Sequence, residues 1–323
     1  MRHTFVAVIV FVVGIVSAAI MGTPIIVNDE EQLLRKARTA SDNFEVQEAV
    51  ALYTKAIESG HLSPQQLANA YLGRGYARTT YALGYGVTDS EALLALHDFQ
   101  KAIEIKPSSD AYQAEGRAFI ALGAYSEATA AYQTSLPLDL PKPHWSLIGL
   151  AVVERIQGHY DTAMKYLDRL LEVWGEDNGS MPIYYHRARL FFAMNNFAGV
   201  VDAITKGLPY QPDYASAYAY RACAYARLGD AAKAVADMQH SIELSNAAGE
   251  DAWSKTPMVA SMRKDTDAYL VILKAMAAGG GSESDRLSLC KWTWHDDEQL
   301  RERSPLLGSA SRELTGGRHT IRL

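Results

Sequence analysis

A turn motif recurs four times in this chain at nearly constant spacing. It places a glycine or an asparagine between two helix-forming stretches, at Gly123, Gly158, Asn195 and Gly229. These positions are 35, 37 and 34 residues apart. Self-similarity at a period of about 20 to 50 residues is the signature of repeat architectures. The chain is therefore expected to fold as an array of similar units that contact only their neighbours.

The same kinds of residue follow each turn. An aromatic residue stands two positions after it in three of the four copies, and a small residue or a valine stands five positions after it. The aromatic residues are Tyr125, Tyr160 and Phe197, and the others are Ala128, Ala163, Val200 and Ala234. Glycine and asparagine tolerate the left-handed backbone that ends a helix. Small residues let two helix backbones approach where they cross. The pattern predicts helix–turn–helix units.

These features resemble the tetratricopeptide repeat, a unit of about 34 residues built from two helices. The unit from Asp213 to Asn246 is the clearest match, with Tyr218, Ala222, Tyr225 and Ala234 at signature positions. The resemblance implies an all-α fold, a right-handed superhelical solenoid of about five to six helix pairs over residues 31–246, closed by a C-terminal capping helix.

The repeat pattern is interrupted once and stops before the C-terminus. Residues 79–89 exceed the length of a unit, which predicts a longer loop or an extended first helix. Residues 247–278 carry an apolar stripe of helical period, as expected of a capping helix. Residues 279–323 begin with a glycine-rich break and are polar, which predicts a flexible tail. Within this tail, the aromatic cluster Cys290–Trp294 is expected to dock either on the solenoid or on a partner.

The first 27 residues have the composition of a targeting segment. A short basic start precedes an apolar stretch, and Ser17–Ala19 fits the small-residue rule for signal peptide cleavage. Because apolar residues continue to Val27, residues 5–27 are also long enough to be a membrane anchor. Under either interpretation the flanking charges place the rest of the chain outside the cytosol. We expect an extracytoplasmic protein, either periplasmic, secreted or in the secretory-pathway lumen, with or without an N-terminal membrane tether.

Composition and motifs argue against catalysis and nucleic-acid binding. The net charge is −6, whereas nucleic-acid-binding proteins usually carry a basic surplus. The sequence has no phosphate-binding glycine loop, zinc-binding helix motif or nucleophile elbow. We therefore expect no catalytic residue, metal or cofactor. Of the two cysteines, Cys223 is favoured as a buried apolar residue in a helix, and a bridge to Cys290 in an oxidising compartment stays open.

Ligands of the tetratricopeptide family bind a concave face lined by the first helix of each unit. Carried over unit by unit, the resemblance implies binding roles for Arg74, Arg78, Arg117, Arg155, Tyr185, Arg189, Phe192 and Arg227. In this alignment Arg74, Arg117 and Arg189 are equivalent, since each follows a small residue. Guanidinium groups bind carboxylates through paired hydrogen bonds. The arginines therefore predict a groove for an extended, acidic peptide, unless they pair with glutamates on neighbouring helices.

Two functions fit these observations. The leading hypothesis is a non-catalytic scaffold that binds a protein or peptide partner in the groove. The alternative is an accessory subunit that binds a polymer or carbohydrate for an extracytoplasmic enzyme complex, through some of the 18 tyrosines and 5 tryptophans. Most of these tyrosines fall at the spacing of the repeat core, which favours the scaffold. Among the histidines, His186 alone lies at a position of interest.

Overall fold

The computed structural model describes residues 29–79, 88–140, 143–174, 181–247, 257–282, 284–285 and 289–290. Within these ranges the chain forms thirteen α-helices and no strand. The helices are α1 (Asp29–Asp42), α2 (Val46–Glu58), α3 (Pro64–Thr79), α4 (Asp89–Ile105), α5 (Ser109–Ala121), α6 (Tyr125–Ser135), α7 (His144–Gln157), α8 (Tyr160–Trp174), α9 (Met181–Ala193), α10 (Phe197–Gly207), α11 (Ala215–Leu228), α12 (Ala231–Ala247) and α13 (Pro257–Ala277). The prediction of an all-α helical repeat fold is confirmed.

The first twelve helices form six consecutive pairs, from α1–α2 to α11–α12. The two helices of a pair contact each other, and each second helix contacts the first helix of the next pair. The first helices also contact one another from repeat to repeat. Members of the inner layer of a curved stack lie closest together. The first helices are therefore the inner layer of the solenoid, as the resemblance implied.

The four turn residues found in the sequence have the predicted left-handed backbone. Their φ angles are 73° at Gly123, 84° at Gly158, 55° at Asn195 and 86° at Gly229. After each of them, the next backbone N–H donates to the carbonyl five residues earlier, at 2.8 to 2.9 Å. This hydrogen bond closes a Schellman turn. In the first repeat Phe44, with φ of 63°, takes the equivalent place, and an aromatic residue there hid this turn from the sequence pattern.

Aromatic rings on the second helices pack into glycines on the first helices. Tyr132 of α6 is 3% exposed and lies against Gly116 of its own repeat and Gly149 of the next repeat. A Cβ atom on Gly116 would lie 2.8 Å from the Tyr132 ring, which is closer than two carbon atoms approach. Gly75 receives the ring of Phe99 in the same way. One ring therefore links two successive repeats.

The ends of the chain are described only in part. Helix α13 packs on α12 and lies where the capping helix was expected. The predicted targeting segment, residues 1–27, lies outside the described residues, as do most of the predicted insertion and most of the predicted tail. No helix in the described part of the chain is both long and apolar enough to cross a bilayer.

We expect Gly149→Ala to lower the free energy of unfolding. Alanine is intrinsically better than glycine in a helix by about 1 kcal/mol, so destabilisation would come from the clash with Tyr132. Overpacking a core costs about 1–3 kcal/mol. Urea denaturation of the full-length chain measures the effect. In a Tyr132→Leu background the same substitution should be neutral or stabilising, and an equal loss in both backgrounds would show that the ring does not set the spacing.

Candidate peptide-binding surface

Helices α7, α9 and α11 carry seven of the positions that the repeat geometry assigns to the concave side, and we call this set the inner face. It comprises Ile148, Val152, Arg155, Tyr185, Arg189, Ala219 and Cys223. All seven residues are at most 8% exposed. The sequence predicted an open groove at these positions. In the structure these seven side chains are buried.

A disulfide joins the inner face to the C-terminal tail. Cys223 is bonded to Cys290, with their Cα atoms 6.0 Å apart. Leu289 and Cys290 are both buried, in the same apolar cluster as Cys223 and Tyr185. Cys223 is buried among apolar side chains, as the favoured interpretation held. The bridge to Cys290 that the sequence left open is formed, and it was not decided earlier because two cysteines 67 residues apart in sequence meet only in the folded chain. Cys290, the first residue of the aromatic cluster, docks on the solenoid, and residues 291–294 lie outside the described residues.

Two of the predicted groove arginines neutralise a buried carboxylate. Arg74 donates from Nε and Nη2 to the two carboxylate oxygens of Asp98 at 3.0 and 2.6 Å, and from Nη1 to Thr54 at 3.0 Å. Arg78 lies 3.4 Å from both Asp98 and Glu91. Asp98 is only 2% exposed. For these two arginines, pairing with acidic residues on a neighbouring helix is the arrangement observed.

The arrangement around Arg74 recurs in the last repeat, where an arginine on a first helix again binds an aspartate on one second helix and a threonine on another. Arg221 of α11 donates from Nε and Nη2 to Asp237 at 2.7 and 2.9 Å, and from Nη1 to Thr205 of the preceding repeat at 3.2 Å. The sequence interpretation missed this pair. Arginine and aspartate are 16 residues apart in the last repeat and 24 apart for Arg74 and Asp98, since the insertion lies between α3 and α4. With the insertion removed, the spacing would have revealed both pairs.

The predicted equivalence of Arg74 with Arg117 and Arg189 is wrong. Gly73 was aligned with the small residue of the other repeats, but Gly75 takes that place. Gly75 receives an aromatic ring from its own second helix, as Gly116 does. The two-residue shift moves Arg74 to the side of α3, where it faces the second helices.

Three further predicted residues lie against aromatic rings. The guanidinium carbon of Arg117 lies 5.0 Å from the Tyr76 ring centre, and its Nη2 donates to the Tyr76 hydroxyl at 2.7 Å. The guanidinium carbon of Arg227 lies 5.4 Å from the Phe197 ring centre. Phe192 packs on the same Phe197 ring, with centroids 5.5 Å apart. Cation–π contacts hold the two arginines in place without neutralising their charge.

The last two predicted arginines lie on the inner face near a buried histidine. Arg155 and Arg189 are 3% and 4% exposed, and His186 is 9% exposed. Burial lowers the pKa of His186 well below 6.5, and the positive charges of Arg189 and Arg155 and the nearby His144 lower it further. The Nδ1 atoms of His186 and His144 are buried without a hydrogen-bond partner among the described residues. Arg155, Arg189 and two histidines of α7 and α9 therefore lie within electrostatic reach of one another.

Comparison with known proteins identifies the repeat. The tetratricopeptide repeat model matches residues 215–247, which contain α11 and α12, and the remaining pairs have the same architecture. Residues 215–247 are therefore a tetratricopeptide repeat. No curated protein matches its sequence.

Solved tetratricopeptide-repeat structures share its fold. The structure of PilW, described as a widely conserved type IV pilus biogenesis factor, matches with a TM-score of 0.54 at 18% identity, over 70% of this chain and 98% of PilW. Yeast Tom70 matches with a TM-score of 0.59 at 17% identity, over 86% of this chain and 53% of Tom70. A tetratricopeptide repeat protein from Parabacteroides merdae matches with a TM-score of 0.50 at 18% identity, over 82% and 99%. At these identities the likeness concerns the fold alone.

We expect Asp98→Ala to destabilise the protein strongly. Removing one partner of a buried ion pair costs about 3–5 kcal/mol, and the substitution leaves both Arg74 and Arg78 without this carboxylate. Urea denaturation measures the loss. Asp202→Ala, which breaks the exposed pair with Lys206, is the control and should cause no measurable change. Equal effects of the two substitutions would contradict the structural role of Asp98.

We expect the stability of the protein to fall as the pH drops below about 6.5. The folded-state pKa of His186 lies below its unfolded value, so the unfolded chain binds more protons at acidic pH. The part of the folding stability that depends on a neutral His186 is present above pH 6.5. It is lost on acidification, by on the order of 1 kcal/mol between pH 7.5 and 5.5. Urea denaturation of His186→Gln at both pH values should show a smaller loss than wild type. The exposed His240, changed to Gln, serves as the control and should leave the pH dependence as it is in wild type.

Proposed function

We propose that this tetratricopeptide-repeat protein is a non-catalytic scaffold whose inner face binds an extended, acidic peptide of a protein partner. Tetratricopeptide-repeat proteins are generally interaction scaffolds, and this repeat array supplies a continuous inner layer of first helices. The observation that carries the proposal is the inner layer of first helices, on which Arg155, Tyr185 and Arg189 share one face.

The chemistry of the inner face suits a peptide with alternating acidic and apolar side chains. A guanidinium group presents its donors in a fork that matches the two oxygens of a carboxylate. The apolar side chains of Ile148 and Val152 lie on the same face as Arg155. These features support a carboxylate-bearing ligand on α7 and α9.

The disulfide supports a location outside the cytosol. Disulfides persist in oxidising compartments and are rare where thiols are kept reduced. The bridge between Cys223 and Cys290 therefore agrees with the targeting segment that the sequence predicts in residues 1–27. We infer that the scaffold works in an extracytoplasmic compartment, either released or tethered to a membrane through residues 5–27.

Peptide binding tests this function. A fluorescein-labelled peptide of alternating glutamate and leucine should bind the full-length chain, measured by fluorescence anisotropy in oxidised and in reduced protein. The matched peptide with glutamine in place of glutamate should bind far more weakly. The double variant Arg155→Gln, Arg189→Gln should lose about tenfold or more in affinity, since these are buried charge contacts.

Arg187→Gln is the matched control. Arg187 lies on α9 like Arg189, but its Nη1 donates to Asp168 of the preceding second helix at 2.7 Å. The control should bind the acidic peptide as wild type does. Equal affinity of the wild-type chain for the glutamate and glutamine peptides would remove the proposed function.

A further inference from the structure

The starts of the first helices and the ends of the second helices lie along one edge of the solenoid. Glu30 at the start of α1 and His61 just before α3 are paired, with Oε1 and Nδ1 3.2 Å apart. The hydroxyl of Ser135 at the end of α6 lies 2.7 Å from that of Ser146 at the start of α7. Further pairs of the same kind are His144 with Trp174, Tyr184 with Tyr210, and Ala215 with Ser241. We call this the loop edge, and the opposite edge, with the turns at Gly123, Gly158, Asn195 and Gly229, the turn edge.

On the loop edge, the connection between α6 and α7 turns apolar side chains outward. Leu138 and Leu140 are 50% and 65% exposed. Asp139 between them is less exposed and accepts a hydrogen bond from the Ser146 hydroxyl at 3.1 Å. Trp145, the residue before that serine, is 53% exposed. Water favours the reverse arrangement, in which the carboxylate faces the solvent and the leucines are covered.

Further exposed apolar residues lie on the same edge. Val173 at the end of α8 and Tyr210 after α10 are both exposed. The Trp145 ring packs edge-on against His144, with centroids 4.8 Å apart, and His144 packs against Trp174 at 5.2 Å. The fold therefore holds a half-exposed tryptophan in place. Single exposed apolar residues are ordinary, whereas several on one edge mark an interaction site.

We propose that these side chains, Leu138, Leu140, Trp145, Val173 and Tyr210, form an apolar patch that docks on the surface of a lipid bilayer. The inference rests on the proposed function in one respect, since it takes up the tether through residues 5–27. It goes further, because it gives the folded solenoid a membrane-binding surface of its own. The loop edge then lies against the bilayer and the turn edge faces away from it.

The tether would enter the solenoid at this edge. Helix α1 begins at Asp29, and the pairing of Glu30 with His61 places that start on the loop edge. The predicted anchor lies outside the described residues, but its last residue, Val27, precedes Asp29 by two positions, a span of at most about 7 Å. The far end of α1, with 14 residues, is about 21 Å away. An anchor in the bilayer therefore holds the loop edge, and not the turn edge, beside the membrane.

The residue types of the patch suit a bilayer surface. Tryptophan and tyrosine are enriched where membrane meets water, because the ring is apolar and its N–H or O–H stays at the level of the headgroups. Leucine and valine insert beside them. On the turn edge of the described chain, the exposed large apolar residues are Leu93, Met194 and Leu228, one in each of three repeats and none of them aromatic. The aromatic character is therefore specific to the loop edge.

Quenching by lipid tests the docking on the full-length chain. Leu140→Cys is labelled with the fluorophore NBD, while the native cysteines stay bonded to each other, and the chain is mixed with phosphatidylcholine vesicles. Nitroxide-labelled phosphatidylcholine should remove about half or more of the emission, since the label enters the headgroup region. Leu228→Cys is the matched control, because Leu228 is 52% exposed on the turn edge, and its label should keep its emission. Equal quenching at both positions, or none at 140, would overturn the inference.

A second variant tests the patch itself. Trp145→Gln in the labelled Leu140→Cys chain should lower the quenching about twofold or more, because the indole is a strong interfacial anchor. Leu228→Gln in the same chain removes an equally exposed apolar side chain from the turn edge and should change nothing. Helical circular dichroism of both variants should equal that of the parent. Unchanged quenching in Trp145→Gln would show that the patch does not contact lipid.

Other occupants of the patch give different results. A blue shift of the label at 140 without vesicles, growing with protein concentration, would show that a second copy covers the patch and would overturn the inference. Flotation of the chain with the vesicles without quenching at 140 would retain the tether and overturn the docking. Quenching at 140 in a chain that does not bind the glutamate–leucine peptide would support the docking and remove the proposed peptide-binding function.

Discussion

Stacking of the repeats depends on the contact between an aromatic ring on a second helix and the small residues of the two first helices beside it. Tyr132 fills the space that Gly116 and Gly149 leave open, so the ring sets the distance within one repeat and between two repeats at once. Because interiors are packed at crystal density, a single methyl group at either glycine has no room. The spacing of α5 and α7 in the inner layer follows from this contact.

The arginines of the first helices fall into distinct environments, and the difference is one of register on the helix. Arg74 and Arg221 point toward second helices and each binds an aspartate and a threonine there. Arg155 and Arg189 belong to the inner face and are buried beside a neutral histidine. The first kind holds helices together. The second kind provides the charge on which the proposed binding function depends.

A disulfide at Cys290 joins the C-terminal tail to the solenoid. It places Leu289 and Cys290 on α11, and the inner face from α7 to α11 is buried. Disulfides of this kind persist in oxidising compartments.

The sequence by itself determined the all-α repeat fold, because turn glycines and small residues at crossings recur with the period of the unit and each acts locally. It also marked the left-handed turns at Gly158 and Gly229, whose φ angles have to be positive to reverse the chain. It misjudged Arg74, since two glycines two residues apart fit the same pattern and only the packing of Phe99 chooses between them. The disulfide, the Asp98 pairs and the contacts of Leu289 and Cys290 with the inner face were decided by tertiary structure, because they join residues that are distant in sequence and carry no periodic signal.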